Sequence, residues 1–245
     1  MNNLNSYPLI YKAFGESTLL IEWPGEIDQA ILVDVLQFQS SIENELCDVL
    51  IETVNAYNSL TVIFQSDIIS FKEIKEKTQR LYQLKFLLIE RKRNTWKIPV
   101  CYDKEFGIDL DDVANQNKGS VEEIIAIHCM AEYTVYFTGF LPGFLYLGGL
   151  PKPIHTPRKS TPRLRIKKGA VAIGGQQTGV YPSESPGGWN IIGNSPLLFF
   201  DPKLTPPCFA RAGDLLQFYP IDKKEHQKIL REVELGIFKI ESKSE

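Results

Sequence analysis

GFLPGFLYLGG, residues 139–149, sets glycine against aromatic and leucine side chains around a single proline. It opens the part of the chain whose punctuation separates two fold regimes. Residues 1–135 hold three prolines and four glycines, whereas residues 136–245 hold twelve prolines and thirteen glycines. Proline removes a backbone donor and glycine frees φ, so dense spacing of the two breaks a chain into short strands joined by turns. The C-terminal part therefore reads as a barrel or sandwich of short β segments, and the N-terminal part as regular helix and strand.

Towards the N-terminus, residues 8–14 and 18–23 predict two strands around a turn at Gly15. Ile27, Ala30, Ile31, Val35, Phe38, Ile42 and Leu46 recur at helical spacing and predict an amphipathic helix over 27–47. Residues 48–56 and 59–65 predict a hairpin across Tyr57-Asn58. Ser66 or Asp67 is the expected cap of a second helix reaching about residue 84, with a further strand over 86–90. That order predicts a small sheet with two helices on one face. The charged run Arg91-Lys92-Arg93-Asn94 is either a linker or a solvated turn, and places the domain boundary at 1–93 and 94–245.

Beyond the boundary, residues 98–102 predict a strand and 108–117 a short helix. Ser120 followed by Glu123 is a capping-box signal for a helix over 121–131. Residues 133–139, 170–173, 189–192, 197–200 and 215–219 predict strands, 222–235 a terminal helix, and 241–245 a frayed end.

The bulk numbers exclude several classes. The 245 residues carry 27 basic and 30 acidic side chains, a net charge of −3, which is unlike a nucleic-acid binder. The start lacks the basic flank and apolar run of an export signal, and no apolar stretch approaches the roughly 20 residues that cross a bilayer. Cys47, Cys101, Cys129 and Cys208 form no Cys-x-x-Cys pair and read as reduced thiols, which points to the cytoplasm. No P-loop, dinucleotide fingerprint or Gly-x-Ser-x-Gly elbow is present. His128 and Cys129 are adjacent on a predicted helix and face apart, while His155 and His226 are expected at the surface, so no metal site is expected.

One feature stands out. Residues 133–183 contain no Asp or Glu but hold Lys152, Arg158, Lys159, Arg163, Arg165, Lys167 and Lys168. Either this stretch focuses positive potential on an anion, carboxylate or phosphate, or it is a solvated loop whose acids lie nearby in the fold. Phe140, Phe144 and Tyr146 either line a pocket or pack a core. Residues 174–182 and 185–189 combine irregular backbone with Gln176 and Thr178, as a ligand-orienting site or as polar turns between strands. With no self-contained catalytic signature, the chain either binds without reacting or supplies part of a site shared with another chain.

The motifs resemble the KipI / allophanate hydrolase subunit 1 family. The resemblance rests on VYFTGFLPGFLYLGG at 135–149, TPRKSTPR at 156–163, GAVAIGGQQTGVYP at 169–182, SPGGWNIIGNSP at 185–196 and AGDLLQF at 212–218, in order. It implies an α+β chain: a small α/β N-terminal domain followed by a cyclophilin-like β-barrel domain. It also implies one subunit of an ATP-dependent 5-oxoprolinase that converts 5-oxo-L-proline to L-glutamate and is inactive without its partners. Those partners would be a paired homologous subunit (KipA-like, of the C type) and a third 5-oxoprolinase subunit of the A type. The cofactor would be ATP with magnesium. The same motifs imply two alternatives, a KipI-like inhibitor of histidine-kinase autophosphorylation and a member of a urea or allophanate pathway.

Carried over residue by residue, the resemblance implies His128, Arg158 and Arg163 as catalytic. It implies Phe140, Pro142, Gly143, Tyr146, Gln176, Thr178, Tyr181, Ser185, Gly188 and Trp189 as substrate-binding. Arginine would hold a carboxylate or phosphoryl group, Gln176 and Thr178 would orient the lactam amide, and the aromatics would exclude water. Two departures are CYDKEFGIDL at 101–110, in place of a glycine-rich start, and Asn194-Ser195-Pro196, where Arg-Thr-Pro is common.

Overall fold

The computed structural model describes residues 7–25, 27–84 and 92–244. The chain divides into two compact units, Met1–Arg91 and Lys92–Glu245.

In the first unit, strands β1 (Ile10–Ala13), β2 (Thr18–Glu22), β3 (Leu50–Asn55) and β4 (Ser59–Phe64) form one antiparallel sheet in the order β1-β2-β4-β3. Alternation puts Leu19, Ile21, Leu60, Val62 and Phe64 on one face. Helices α1 (Gln29–Glu45) and α2 (Phe71–Gln83) cover that face with Ile31, Val35, Phe38, Ile42 and Ile74. The cap of α2 is Ser70 rather than Ser66 or Asp67. Its hydroxyl accepts from the Glu73 N–H while the Glu73 carboxylate accepts from the Ser70 N–H. Residues 66–69 form a turn instead, with Ile68 and Ile69 N–H donating to the Gln65 carbonyl. The strand expected over 86–90 and the start of the charged run at Arg91 lie outside the described residues.

The second unit is a closed barrel. Its elements are β5 (Asn94–Cys101), α3 (Leu110–Gln116), α4 (Val121–Met130), β6 (Tyr133–Thr138), β7 (Leu145–Gly148), β8 (Arg163–Ile166), β9 (Ala170–Gly174), β10 (Gln177–Val180), β11 (Ser185–Gly187), β12 (Asn190–Asn194), β13 (Leu215–Ile221), α5 (Lys223–Glu234) and β14 (Ser242–Ser244). The ladder runs β12-β9-β10-β7-β6-β13-β5 and closes where Asn194 on β12 pairs with Cys101 on β5. Closure joins the seven strands into a ring. Val100, Tyr133, Val135, Leu147, Val171, Ile173, Val180, Ile192, Leu216 and Phe218 fill the interior. The box Ser120–Glu123 caps α4 as its spacing predicts.

Three expectations are corrected. Residues 197–200 are no strand: Leu197 and Phe199 alternate inward as a loop plugging the barrel core, which copies a strand's period without a ladder partner. The C-terminal end is not frayed over 242–244, because β14 pairs antiparallel with the outer edge of β5. His226 is not a surface residue. It is 5% exposed, stacks on Phe106 at 4.6 Å and bonds Asn194 Oδ1 through Nε2 at 2.8 Å. Among the described residues no helix is long and apolar enough to cross a membrane.

Candidate functional site

Strand alternation splits the glycine-rich turn segments between two sides of the barrel wall. On β9, Val171 and Ile173 point in while Ala170, Ala172 and Gly174 face out; on β10, Thr178 and Val180 point in, and Tyr181 just beyond the strand faces out. Small outward residues leave a shelf for Trp189. At Gly174 a Cβ would lie 2.6 Å from three atoms of the Trp189 ring, so only glycine lets the indole lie flat there.

On this shelf the aromatics form a cluster around buried Phe144. Its ring meets Trp189 at 5.6 Å, Tyr181 at 5.4 Å, Tyr146 at 5.0 Å and Phe140 at 5.7 Å. Offset and edge-on pairs of this kind fix ring orientation. Phe140 is 59% exposed and held at φ +65°, at the rim. Burial pushes the Tyr181 hydroxyl up. Against that, the Trp189 backbone N–H donates to it, and the positive charges of Arg158 and Arg163 lie close enough to act on it.

The cations divide by partner. Arg163 is bidentate to Asp109, Nη1 to Oδ2 at 2.8 Å and Nη2 to Oδ1 at 2.6 Å. Lys159 Nζ reaches the same carboxylate at 2.8 Å, and the Ile191 N–H donates to it at 2.8 Å. Burial would raise the Asp109 carboxyl, but the bonds from Arg163, Lys159 and Ile191 outweigh that and hold it below the usual range. Arg165 pairs with Glu184 at the surface. Of the three arginines in the acid-free stretch, Arg158 alone has no carboxylate partner among the described residues. Its guanidinium lies 5.5 Å from the Trp189 ring centroid. The expectation that Arg163 presents its fork to an anion is therefore corrected: the chain's own Asp109 occupies that fork.

His128 and Thr178 lie inside the barrel, both fully buried. Thr178 Oγ1 donates to the Ala172 carbonyl at 3.1 Å, so it accepts from His128 Nε2 at 2.9 Å. That leaves Nδ1 unprotonated, accepting from the Tyr102 hydroxyl at 2.8 Å, to which Cys129 Sγ donates at 3.4 Å. Burial lowers His128 to about 3, so the ring is neutral. Thr178 thus cannot orient a lactam from the outer face; its hydroxyl ties β10 to β9 and, through His128, to α4. Gln176 and Pro142 are exposed, Gly143 is buried against the backbone of Phe199, and the Gly188 carbonyl accepts from Lys159 N–H. Phe140, Tyr146, Arg158, Tyr181, Ser185 and Trp189 are the predicted residues that the structure gathers around the outer aromatic cluster.

Asp109 was missed as a site residue. It stands at the N-cap of α3, where an aspartate reads as a helix cap, yet it makes no capping bond and turns its carboxylate to Arg163 instead.

Residues 9–210 match the family described as carboxyltransferase domain, subdomain C and D. The chain belongs to this family. The B subunit of Bacillus subtilis 5-oxoprolinase is 40% identical over 222 residues, covering 86% of this chain and 92% of that protein. The crystal structure of TTHA0988 superposes with a TM-score of 0.74 at 31% identity, over 84% of this chain; this carboxyltransferase-domain chain spans 40% of that longer one. Kluyveromyces lactis urea amidolyase shares the fold over 100% of this chain and 17% of its own, with a TM-score of 0.83 at 19% identity. The motif resemblance to the allophanate hydrolase subunit 1 sequences and this family membership agree.

Proposed function

We propose that this chain is the B-type subunit of an ATP-dependent 5-oxoprolinase, inactive alone, and that the outer face of its barrel receives the substrate carboxylate. Kinship supports the activity: 40% identity over 86% of the chain to a protein named as the B subunit of 5-oxoprolinase. One geometric observation carries the site. Arg158 lies over the Trp189 ring with no carboxylate partner among the described residues. Arg158 is exposed and open to a ligand, and the Trp189 face behind its guanidinium fixes its position and shields one side from water, which strengthens its bond to a carboxylate.

The described residues offer no ready-made protein cage for a metal. Among the described residues no group of three or more His, Cys, Asp or Glu side chains could hold a metal, and the one buried acid beside the site, Asp109, is committed to Arg163 and Lys159. In this reading a partner chain supplies the nucleotide site. The partners are the paired homologous subunit plus a third component. This chain's share is to bind and orient 5-oxoproline and to keep water from it.

Co-expression with those two partners tests the reading through glutamate release from 5-oxoproline. Arg158→Ala is expected to raise KM at least about tenfold, the scale of one charge-assisted bidentate contact. A complex equally active without this chain would refute its place in the enzyme, and an unchanged KM would remove Arg158 from the site.

A further inference from the structure

The segment that carries Arg158 belongs to no strand, yet it is pinned on both sides of that residue. Before it, Thr156 exchanges two backbone bonds with Gly175, its N–H donating at 3.2 Å and its carbonyl accepting at 2.7 Å. After it, the Lys159 N–H donates to the Gly188 carbonyl at 2.7 Å. Pro157 stands between these contacts and has no N–H of its own, so a regular ladder cannot run through it. Its carbonyl is taken by a side chain instead. Asn190 Nδ2 donates to it at 2.9 Å and to the Ile173 carbonyl on β9 at 3.2 Å. Three consecutive residues thus meet three others in reverse order: Gly188 holds Lys159, the Trp189 ring underlies the Arg158 guanidinium, and Asn190 holds Pro157.

Asn190 is 1% exposed, at the first position of β12. Both hydrogens of its amide nitrogen are spent on carbonyls, one on the barrel wall and one on the segment. A buried amide that donates twice is held rigidly, and it passes the position of β9 to the residue before Arg158. Pro157 and Arg158 are themselves exposed, so burial contributes little to fixing them. We propose that Asn190 is a positioning residue, which acts through Pro157 to hold the Arg158 guanidinium over Trp189 before a ligand arrives. This rests on reading the outer face as a carboxylate site. An arginine side chain is long and loses rotamer freedom when it binds; one already held in place loses less, and its affinity for a carboxylate rises accordingly. Asn190 is buried beneath the segment and touches no ligand itself.

A double-mutant cycle in the reconstituted complex, read as KM and kcat for 5-oxoproline, separates this role from a structural one. Asn190→Ala is expected to raise KM about fivefold with kcat within about twofold, short of the roughly tenfold rise expected of Arg158→Ala. In the Arg158→Ala background the same substitution should change KM by less than about twofold, because no guanidinium is left to position. Loss of two buried donors lowers the melting temperature under either account, so the cycle decides and stability does not. Equal KM penalties in both backgrounds, or a fall in kcat without a rise in KM, would mean a general structural role and overturn the proposal. Asn190→Ser, which keeps one donor for two carbonyls, carries the same expectations should the alanine variant fail to fold. If Arg158→Ala raises KM and the Asn190 variants do not, the positioning role alone fails; if none of them raises it, the outer-face reading fails with it.

Discussion

Asp109→Asn removes one charge from the node that joins α3, β8 and β12 while keeping the side chain's shape. Four bonds converge on this carboxylate, two from Arg163, one from Lys159 and one from the Ile191 N–H. The amide offers a single acceptor oxygen and turns an N–H₂ towards a guanidinium. Breaking one side of a buried ion pair costs about 3–5 kcal/mol. Lys159 and Arg163 keep 24% and 30% side-chain exposure, so water takes up part of their freed charge. The expected loss is then about 2–3 kcal/mol. At about 2–4 °C per kcal/mol for a domain of this size, the barrel should melt roughly 5–10 °C lower. The pH dependence has a definite sign. The folded carboxyl lies below its unfolded value, so its stabilisation is fully present above the unfolded value of about 4 and is lost as pH falls through the folded one. The gap between wild type and Asp109→Asn should thus hold from about pH 8 to about pH 5 and close in stronger acid. A double-mutant cycle with Arg163→Met is the sharper assay, read by thermal melts near neutral pH. The double variant should lose little more than Asp109→Asn alone. Strict additivity, or a variant melting within about 1 °C of wild type, would refute the coupling.

Two further outcomes follow from buried polar groups. Asp34 is buried, with its Oδ2 accepting from Trp23 Nε1 at 2.6 Å and the Tyr82 hydroxyl at 2.8 Å; burial raises its carboxyl, so the ionised form costs stability that returns as pH falls through the raised value. Asp34→Asn keeps the acceptor without the charge and should melt at or above wild type at about pH 7, the advantage shrinking towards about pH 4; a loss of more than about 1 kcal/mol at neutral pH would contradict this. His128 should stay neutral, protonated on Nε2, from about pH 8 down to about pH 5, because burial lowers it to about 3; nitrogen-15 NMR showing a midpoint near the ordinary histidine value would contradict the network.

Local signals along the chain were legible because they depend on residues a few positions apart. The helical spacing of Ile31, Val35, Phe38 and Ile42 built α1, and Ser120 with Glu123 capped α4. Signals of the same kind misled where context changed their meaning. The alternation over 197–200 belongs to a loop, and the last residues, polar and terminal, are held by the stretch of β5 that β12 leaves unpaired. Strands as short as β7, β8, β10 and β11, of three or four residues, are too brief for a period to declare itself.

The same divide runs through the site. Sequence alone determined that a cationic, aromatic, glycine-rich segment lies in the β half, since composition needs no coordinates. Tertiary structure decided which of its cations are free. Asp109 meets Arg163 across 54 positions, and only barrel closure brings them together. Strand register sends Thr178 inward and Tyr181 outward, although the two are near neighbours in the chain. Burial and charge pairing are properties of neighbours in space, and a chain of amino acids states its neighbours in order only.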